Sequence, residues 1–130
     1  MIIKLTPADI LKGKLIDAGW YGATIVKADE DWKPSADKQS ANWELTFEIH
    51  GTGGKEISRM FNTKALGFLA PLISAIRGHE IKPEAMDFDT KEVLGKKIDV
   101  QVIQDTYQGQ MNNKITAFLP AGKGKAAQTY

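Results

Sequence analysis

The side chains of this chain that suit chemistry are aromatic and basic, whereas nucleophiles and metal ligands are scarce. Cysteine is absent, which excludes disulfides, thiolate zinc sites and cysteine nucleophiles together. His50 and His79 are the only imidazoles, and neither has an evident cysteine or serine partner in a recognisable triad. The sequence therefore predicts a protein that is not an enzyme and that uses no metal or other cofactor.

Aromatic and basic residues together suit the binding of a single-stranded nucleic acid. Aromatic rings stack on bases, which contributes about 1–3 kcal/mol per base, while lysine and arginine neutralise the phosphates along the strand. The residues that we predict to form such a site are Trp32, Lys33, Lys38, Arg59, Phe61, Tyr107 and Lys114.

Two of the aromatic candidates lie in predicted loops, and each has a structural alternative. Trp32 stands in a polar segment where no periodicity buries it, so it either stacks on a base or anchors its loop. Tyr107 lies in the loop between the last two predicted strands and either contacts the nucleic acid or packs within an ordinary hairpin. Trp20 and Tyr21 are neighbours in a predicted strand and must point to opposite faces, but the sequence does not say which is exposed.

Arg59 and Phe61 share one face of the third predicted strand with Ile57. Because burying an arginine without a partner is costly, we expect Arg59 to point to solvent and Phe61 to lie on the same binding face. Ile57 favours the opposite orientation, in which Phe61 faces the core and Arg59 lies at the rim of the fold.

Five segments that have the composition and alternation of strands position these residues: 19–28, 42–50, 55–62, 96–104 and 114–119. The second is the clearest, because Trp43, Leu45 and Phe47 alternate with polar residues in the period of a sheet with one buried face. Turn formers and charges predict a long exposed loop over 29–40, and a second loop over 105–113 joins the last two strands.

Two helices are predicted in addition. Leucine and isoleucine recur at helical spacing after the capping candidates Asn62 and Thr63, and this amphipathic helix should end at Gly78. Pro71 lies inside it and predicts a kink or two short helices that meet there. A helix-start signal of threonine and proline predicts a short N-terminal helix over 7–12.

The order of these elements predicts a mainly β fold, a five-stranded OB-fold-like barrel with a helix between strands 3 and 4 and the short N-terminal helix. Barrels of this kind bind oligonucleotides across strands 2 and 3. A chain of 130 residues fits a single domain, which we assign to residues 1–120. Residues 121–130 contain Lys123 and Lys125 and no acidic residue, and we predict that they form a flexible basic C-terminal tail.

The charge of the chain limits where a nucleic acid could bind. The net charge is only +1, so a site for polyanions has to be a local patch. Glu44 and Glu48, on the polar face of the second strand, would repel a phosphate backbone laid over them. The chain has no apolar run of about eighteen residues and no secretory signal at its start, which predicts a cytoplasmic protein with no membrane contact.

Four segments, taken together, carry a resemblance to a known class of proteins: GWYGATIVKA, NWELTFEI, NTKALGFLAPLISAI and LGKKIDVQVIQDTYQGQMNNKITAFLP. Over about residues 19–120 the chain resembles small phage-encoded OB-fold single-stranded DNA-binding proteins. The resemblance implies a role in phage DNA replication, recombination or repair in the cytoplasm of the bacterial host. Many proteins of this class recruit partner enzymes through an acidic tail, whereas this chain ends in GKGKAAQTY.

The expected partner is single-stranded DNA, bound with little sequence preference. RNA is an alternative partner, because the choice between the two depends on contacts to the 2′-hydroxyl that a sequence does not reveal. A homo-oligomer and contacts with replication or recombination proteins are further possibilities. A different class, a protein-interaction or virion-assembly module on a similar barrel, is favoured by the near-neutral charge and by Glu44 and Glu48.

Overall fold

The protein is mainly β in a computed structural model that describes residues 1–7, 10, 14–81 and 88–126. The described strands are β1 (Gly19–Ala28), β2 (Lys33–Pro34), β3 (Ala41–Ile49), β4 (Glu56–Asn62), β5 (Lys97–Tyr107) and β6 (Gln110–Pro120). The helices are α1 (Leu69–Arg77) and α2 (Lys123–Ala126), and 3₁₀ turns cover Thr63–Phe68 and Thr90–Glu92.

The strands form one antiparallel sheet in the order β4-β3-β1-β5-β6, with β2 also paired to β3. Within the described residues no backbone ladder joins β4 to β6, so the sheet is not closed. One side chain crosses between the two end strands, because Nη1 of Arg59 donates to the carbonyl oxygen of Ile115 at 3.2 Å. The predicted mainly β class is therefore confirmed, whereas a closed barrel is not shown.

The position of the helix differs from the prediction by one strand. The two-residue strand β2 lies inside the segment predicted as a loop and pairs with Ala41 and Asn42, so α1 follows the fourth strand of the chain rather than the third. Two residues are too few to show any alternation, which is why the sequence pattern gave no sign of this strand.

The segment after β4 contains two successive helical elements, as the proline predicted. The side chain of Asn62 accepts a hydrogen bond from the Lys64 amide at 2.8 Å and begins the 3₁₀ turn. Pro71 lies in the first turn of α1, where its missing N–H costs no helical hydrogen bond, so the two elements meet before the proline rather than at it. The predicted end at Gly78 is confirmed, since Gly78 adopts φ 79°. The helix predicted over 7–12 lies mostly outside the described residues.

A single apolar cluster fills the inner face of the sheet. On β3 the side chains of Trp43, Leu45, Phe47 and Ile49 are all buried, which confirms the predicted alternation. Helix α1 packs against β6 and contributes four buried side chains to the described core, including Leu72.

The loop predicted over 105–113 is instead the outer part of a long hairpin. Strands β5 and β6 continue through it and leave only Gln108 and Gly109 as the turn, with φ of 50° and 78°. The pairing of β1 with β5 ends where Gly19 meets Val102, so beyond that point β5 has β6 as its only strand partner among the described residues. Both faces of this outer part are largely exposed, and the apolar alternation that marks a strand is therefore absent.

The segment predicted as a flexible tail over 121–130 begins with a docked turn. The Gly124 amide donates to Oδ2 of Asp99 at 2.8 Å, and Gly124 is buried against Trp20. The first residues of the tail therefore contact the sheet, because a glycine without a side chain allows close approach, and the flexibility of the tail stays a prediction. Residues 127–130 lie outside the described part of the chain.

Trp20 and Tyr21 are both half-buried, so neither is the exposed member of the pair that the sequence left open. Trp20 is covered by the docked tail, and the hydroxyl of Tyr21 donates to the carbonyl oxygen of Asp17 at 2.7 Å. Burial, followed by the charge of Asp17, raises the pKa of Tyr21. Both rings contribute to the packing around β1.

Gly124→Ala is expected to destabilise the protein. The added methyl carbon would lie 2.5 Å from Cε3 of Trp20 and 2.9 Å from Cβ of Asp99, which forces the tail or the sheet to move. Overpacking of this kind costs about 1–3 kcal/mol, and urea unfolding followed by circular dichroism measures the loss. Gly67→Ala is the matched control, because its added methyl carbon would meet no atom within 4 Å beyond its own turn and chain neighbours. Equal stability of both variants would contradict the docking of the tail.

Candidate nucleic-acid interface

Phe61 lies in the core, so its predicted role as an exposed stacking ring is wrong. Its side chain is 3% exposed, and its ring centroid lies 6.0 Å from that of Trp43 and 6.3 Å from that of Phe118. The register explains the burial, because Phe61 pairs with Trp43 across the β3–β4 ladder and shares the inner face of β4 with Ile57.

Arg59 lies on the same inner face, in the gap between β4 and β6. Its guanidinium carbon is 5.1 Å from the ring centroid of Phe61 and 5.0 Å from that of Phe118, and the group also donates to Ile115 as described. Burial lowers the pKa of the guanidinium. The expectation that Arg59 points to solvent with Phe61 is wrong, because two ring faces and a carbonyl compensate for the lost hydration. This guanidinium is therefore engaged within the fold.

Arg59→Met is expected to lower the free energy of unfolding by about 1–3 kcal/mol. The variant fills a similar volume but loses a charged hydrogen bond and two cation–π contacts. Arg59→Lys keeps the charge without the planar group, so its free energy of unfolding should lie between those of the wild-type chain and Arg59→Met. Urea unfolding measures all three. Unchanged stability combined with weaker DNA binding would instead assign Arg59 to phosphate binding.

Trp32 is half-buried and packs against the core. Its ring centroid lies 6.0 Å from that of Trp43, whose indole Nε1 donates to the carbonyl oxygen of Asp29 at 2.8 Å. These contacts favour the alternative in which Trp32 anchors the loop after β1. The internal aromatic cluster thus contains Trp32, Trp43, Phe47, Phe61, Phe88 and Phe118.

Lys33 and Lys38 are exposed on the segment that follows β1. Lys33 forms an ion pair with Oδ1 of Asp29 at 3.2 Å, and Lys38 lies in a turn with φ 58°. The Glu44 amide donates to Asp29 at 3.0 Å, and this hydrogen bond, helped by Lys33, holds the pKa of Asp29 below its usual value. Both lysines lie beyond Ala28 at the end of β1, whereas the β5–β6 hairpin projects beyond Gly19 at the start of β1. The structure therefore does not bring the two lysines close to Tyr107.

Tyr107 and Lys114 share one exposed face of the β5–β6 hairpin. Tyr107 pairs with Gln110 at the end of the hairpin, and Lys114 pairs with Ile103. Alternate residues of a strand lie on the same face, so residues 103, 105 and 107 and their partners form a single surface. Tyr107 is 69% exposed, and Lys114 is exposed and has no ion pair among the described residues. We call this surface the hairpin face.

The opposite face of the hairpin holds the N-terminal part of the chain. The side chain of Asn113 bonds both the amide and the carbonyl of Ile16, at 2.8 and 2.9 Å. Gln104 donates to the same carbonyl at 3.0 Å. The hairpin face is therefore the side that these contacts leave open.

The outer surface of β3 and β4 is acidic. Glu44 and Glu48 are exposed, as predicted, and Glu56 on β4 lies directly across the ladder from Glu48. Lys27 approaches Glu56 at 3.8 Å and balances one of the three charges. A phosphate backbone laid across these two strands would be repelled.

A groove of about 680 Å³ lies between the edges of β4 and β6, and the sequence analysis missed it. Lys55, Ser58, Met111 and Asn112 line it, together with Leu15. The amine of Lys55 donates to the carbonyl oxygen of residue 14 at 2.6 Å, and burial lowers the pKa of this amine. The only available signal was the amide-rich run QGQMNN, which is typical of a loop and does not indicate a groove.

No protein-family model and no curated protein matches this chain. Among the described residues, no helix has the length and apolar character needed to cross a membrane. The same part of the chain contains no group of three or more histidine, aspartate or glutamate side chains that would hold a metal ion. The assignment of a function therefore depends on the geometry of the exposed surfaces.

Proposed function

We propose that this protein binds single-stranded DNA without catalysing a reaction, through the hairpin face of an OB-type barrel. The observation that carries the proposal is the shared position of an exposed ring, Tyr107, and a lysine without an ion pair in the described part of the chain, Lys114, on a hairpin that projects beyond β1. A ring that stacks on a base and a lysine that neutralises a phosphate are the two components of a single-strand site.

The strand order supports an OB-type barrel. Leaving aside the two-residue β2, the remaining strands run β4-β3-β1-β5-β6, and Arg59 holds the two end strands near each other. OB-folds are partly open five-stranded barrels, and the connection between their last two strands is a recognised oligonucleotide contact. In this chain that connection is the β5–β6 hairpin.

The chemistry of the hairpin face implies weak sequence preference. A tyrosine ring stacks on any base, because every base has a π-face. Gln110 and Asn112 add neutral donors and acceptors, while Asp105 is the one carboxylate on the paired rows 103, 105 and 107. With few lysines involved, the dependence of affinity on salt should be shallow, about 0.7 in log–log slope for each phosphate neutralised.

The resemblance found in the sequence supports a role in DNA replication, recombination or repair in a bacterial cytoplasm. RNA remains the alternative ligand, and contacts with replication or recombination proteins belong to the same proposal. Neither stacking nor phosphate neutralisation distinguishes DNA from RNA, since both act on features that the two polymers share.

Fluorescence anisotropy of labelled oligo-dT tests the proposal directly. We expect saturable binding at low salt, weaker binding as salt rises, and much weaker binding of a matched duplex. Tryptophan emission is a poor reporter here, because Trp43 is buried and Trp20 and Trp32 are half-buried. Absence of binding to oligo-dT and to oligo-U at low salt would refute the proposal.

A protein-interaction or virion-assembly module is the second candidate, and the acidic surface of β3 and β4 favours it. Glu44, Glu48 and Glu56 form a negative patch that suits a basic protein partner. The double variant Glu44→Gln, Glu48→Gln separates the candidates. It should weaken binding of a labelled lysine-rich peptide if this surface is the interface, while leaving or strengthening binding of oligo-dT.

A further inference from the structure

The first residues of the chain form an apolar segment that nothing in the described structure covers. Met1, Ile2, Ile3 and Leu5 are 112%, 90%, 71% and 65% exposed, and no regular secondary structure includes them. Adjacent isoleucines favour a β-strand, because branched side chains fit a pleated, half-buried surface. We call residues 1–5 the arm. The arm therefore has the composition of a β-strand, but in the described residues it pairs with no other strand.

The two end strands of the sheet supply the complementary feature. In the described residues β4 is paired with β3 alone and β6 with β5 alone, so each leaves one backbone edge unpaired. Near Arg59 the edges approach each other, but along residues 55–58 and 110–113 they separate and form the groove of about 680 Å³. Free edges of this kind are templates for an added strand.

The arm and the groove agree in length, and both carry apolar side chains. Five residues of extended chain span about 17 Å, and the four groove-lining residues 55–58, three of them in β4, span about 13 Å. Ile57 and Met111 offer apolar surface in the groove, and its one carboxylate among the described residues, Glu56, also forms an ion pair with Lys27 at 3.8 Å. An inserted arm would give apolar side chains a cover and would pair the two free edges.

We propose that the arm of one copy of this chain inserts as a strand between β4 and β6 of a second copy, and that two copies exchange arms reciprocally. Such an exchange places the same contacts on both subunits and gives a closed two-fold dimer. The groove lies along the free edge of β6 and shares Gln110 and Asn112 with the hairpin face. The tests below measure association of the chain and disulfide formation, so their outcome does not depend on DNA binding.

The anchoring of residues 14–16 favours exchange between copies over insertion within one chain. The carbonyl of residue 14 accepts from Lys55, and Ile16 is held by Asn113, so the chain is already fixed beside its own groove. In this position the four apolar side chains of the arm are nevertheless exposed, and they do not line the groove. In a second copy, the anchored residues 14–16 leave the groove unfilled, so that groove can receive the apolar side chains of the arm.

Light scattering after size exclusion of the full chain is the first test. We expect a mass of two chains at about 100 µM, and we expect Ile3→Asp to weaken dimerisation at least tenfold by placing a charge on an apolar strand. Leu66→Asp is the matched control, since Leu66 is 52% exposed on the 3₁₀ turn outside the arm and the groove. A monomeric wild-type chain, or an equal loss in both variants, would overturn the proposal.

Disulfide trapping is the second test, and the absence of native cysteine makes it unambiguous. The double variant Ile3→Cys, Ser58→Cys should give a covalent dimer under mild oxidation, because Ser58 lines the groove. The control Ile3→Cys, Glu80→Cys moves the second thiol to an exposed site that does not line the groove and should remain monomeric. A disulfide within one chain, or no disulfide at all, would overturn exchange between copies.

Discussion

Replacing Phe61 with alanine is expected to lower the free energy of unfolding by about 3–5 kcal/mol, as large truncations of buried aromatic residues do. The ring is buried between Trp43 and Phe118, with the guanidinium of Arg59 over it, so the variant removes contacts and leaves a cavity. Urea unfolding followed by circular dichroism measures the effect, provided that the slope with denaturant stays constant.

Tyr107→Ala is the matched control for this stability prediction. It also removes an aromatic ring, but from a side chain that is 69% exposed, and it should change the free energy of unfolding by less than about 0.5 kcal/mol. If Phe61→Ala had as small an effect, the burial of Phe61 described above would be wrong and its role as a stacking ring would return.

Tyr107→Ala is also expected to weaken binding of oligo-dT by about 5- to 150-fold, the equivalent of 1–3 kcal/mol of lost stacking. The ring lies at the end of the hairpin, on the face that the N-terminal segment leaves open. Fluorescence anisotropy of a labelled oligonucleotide at low salt measures the loss. Tyr107→Phe keeps the stacking surface and should bind nearly as tightly as the wild-type chain.

Two further variants show whether the effect belongs to the hairpin face. Lys114→Ala should weaken binding and reduce the salt slope by about 0.7, which is the signature of one lost phosphate contact on a single strand. Phe68→Ala removes another exposed ring, 62% exposed and outside the hairpin, and should leave binding unchanged. Equal losses from Phe68→Ala and Tyr107→Ala would contradict a site on the hairpin face.

Elements with one buried face could be predicted from the sequence. Strand β3 shows this most clearly, because Trp43, Leu45 and Phe47 alternate with exposed or hydrogen-bonded polar residues such as Glu44. The end of α1 was equally readable, since the left-handed conformation at Gly78 is one that glycine adopts without strain. In both cases the local pattern and the tertiary surroundings agree.

Elements with two exposed faces could not be predicted in the same way. The outer part of the β5–β6 hairpin is held mainly by backbone hydrogen bonds, and because neither face is buried its sequence shows no apolar alternation. Its residues therefore had the composition of a loop. For Arg59 and Phe61 the pattern gave two orientations, and the cost of burying a cation favoured the wrong one. That cost is offset by the rings of Phe61 and Phe118, whose contact with Arg59 depends on strands far apart in sequence.

The absence of a ladder between β4 and β6 has a consequence for how this sheet moves. Separating two laddered strands requires several backbone hydrogen bonds to break together, whereas these two ends are connected mainly through one guanidinium and the rings beneath it. Opening at this place leaves the pairing of β1 with β3 and β5 intact. Transient widening between β4 and β6 breaks no ladder hydrogen bond, so it should cost less free energy than separating a long ladder such as that of β5 and β6.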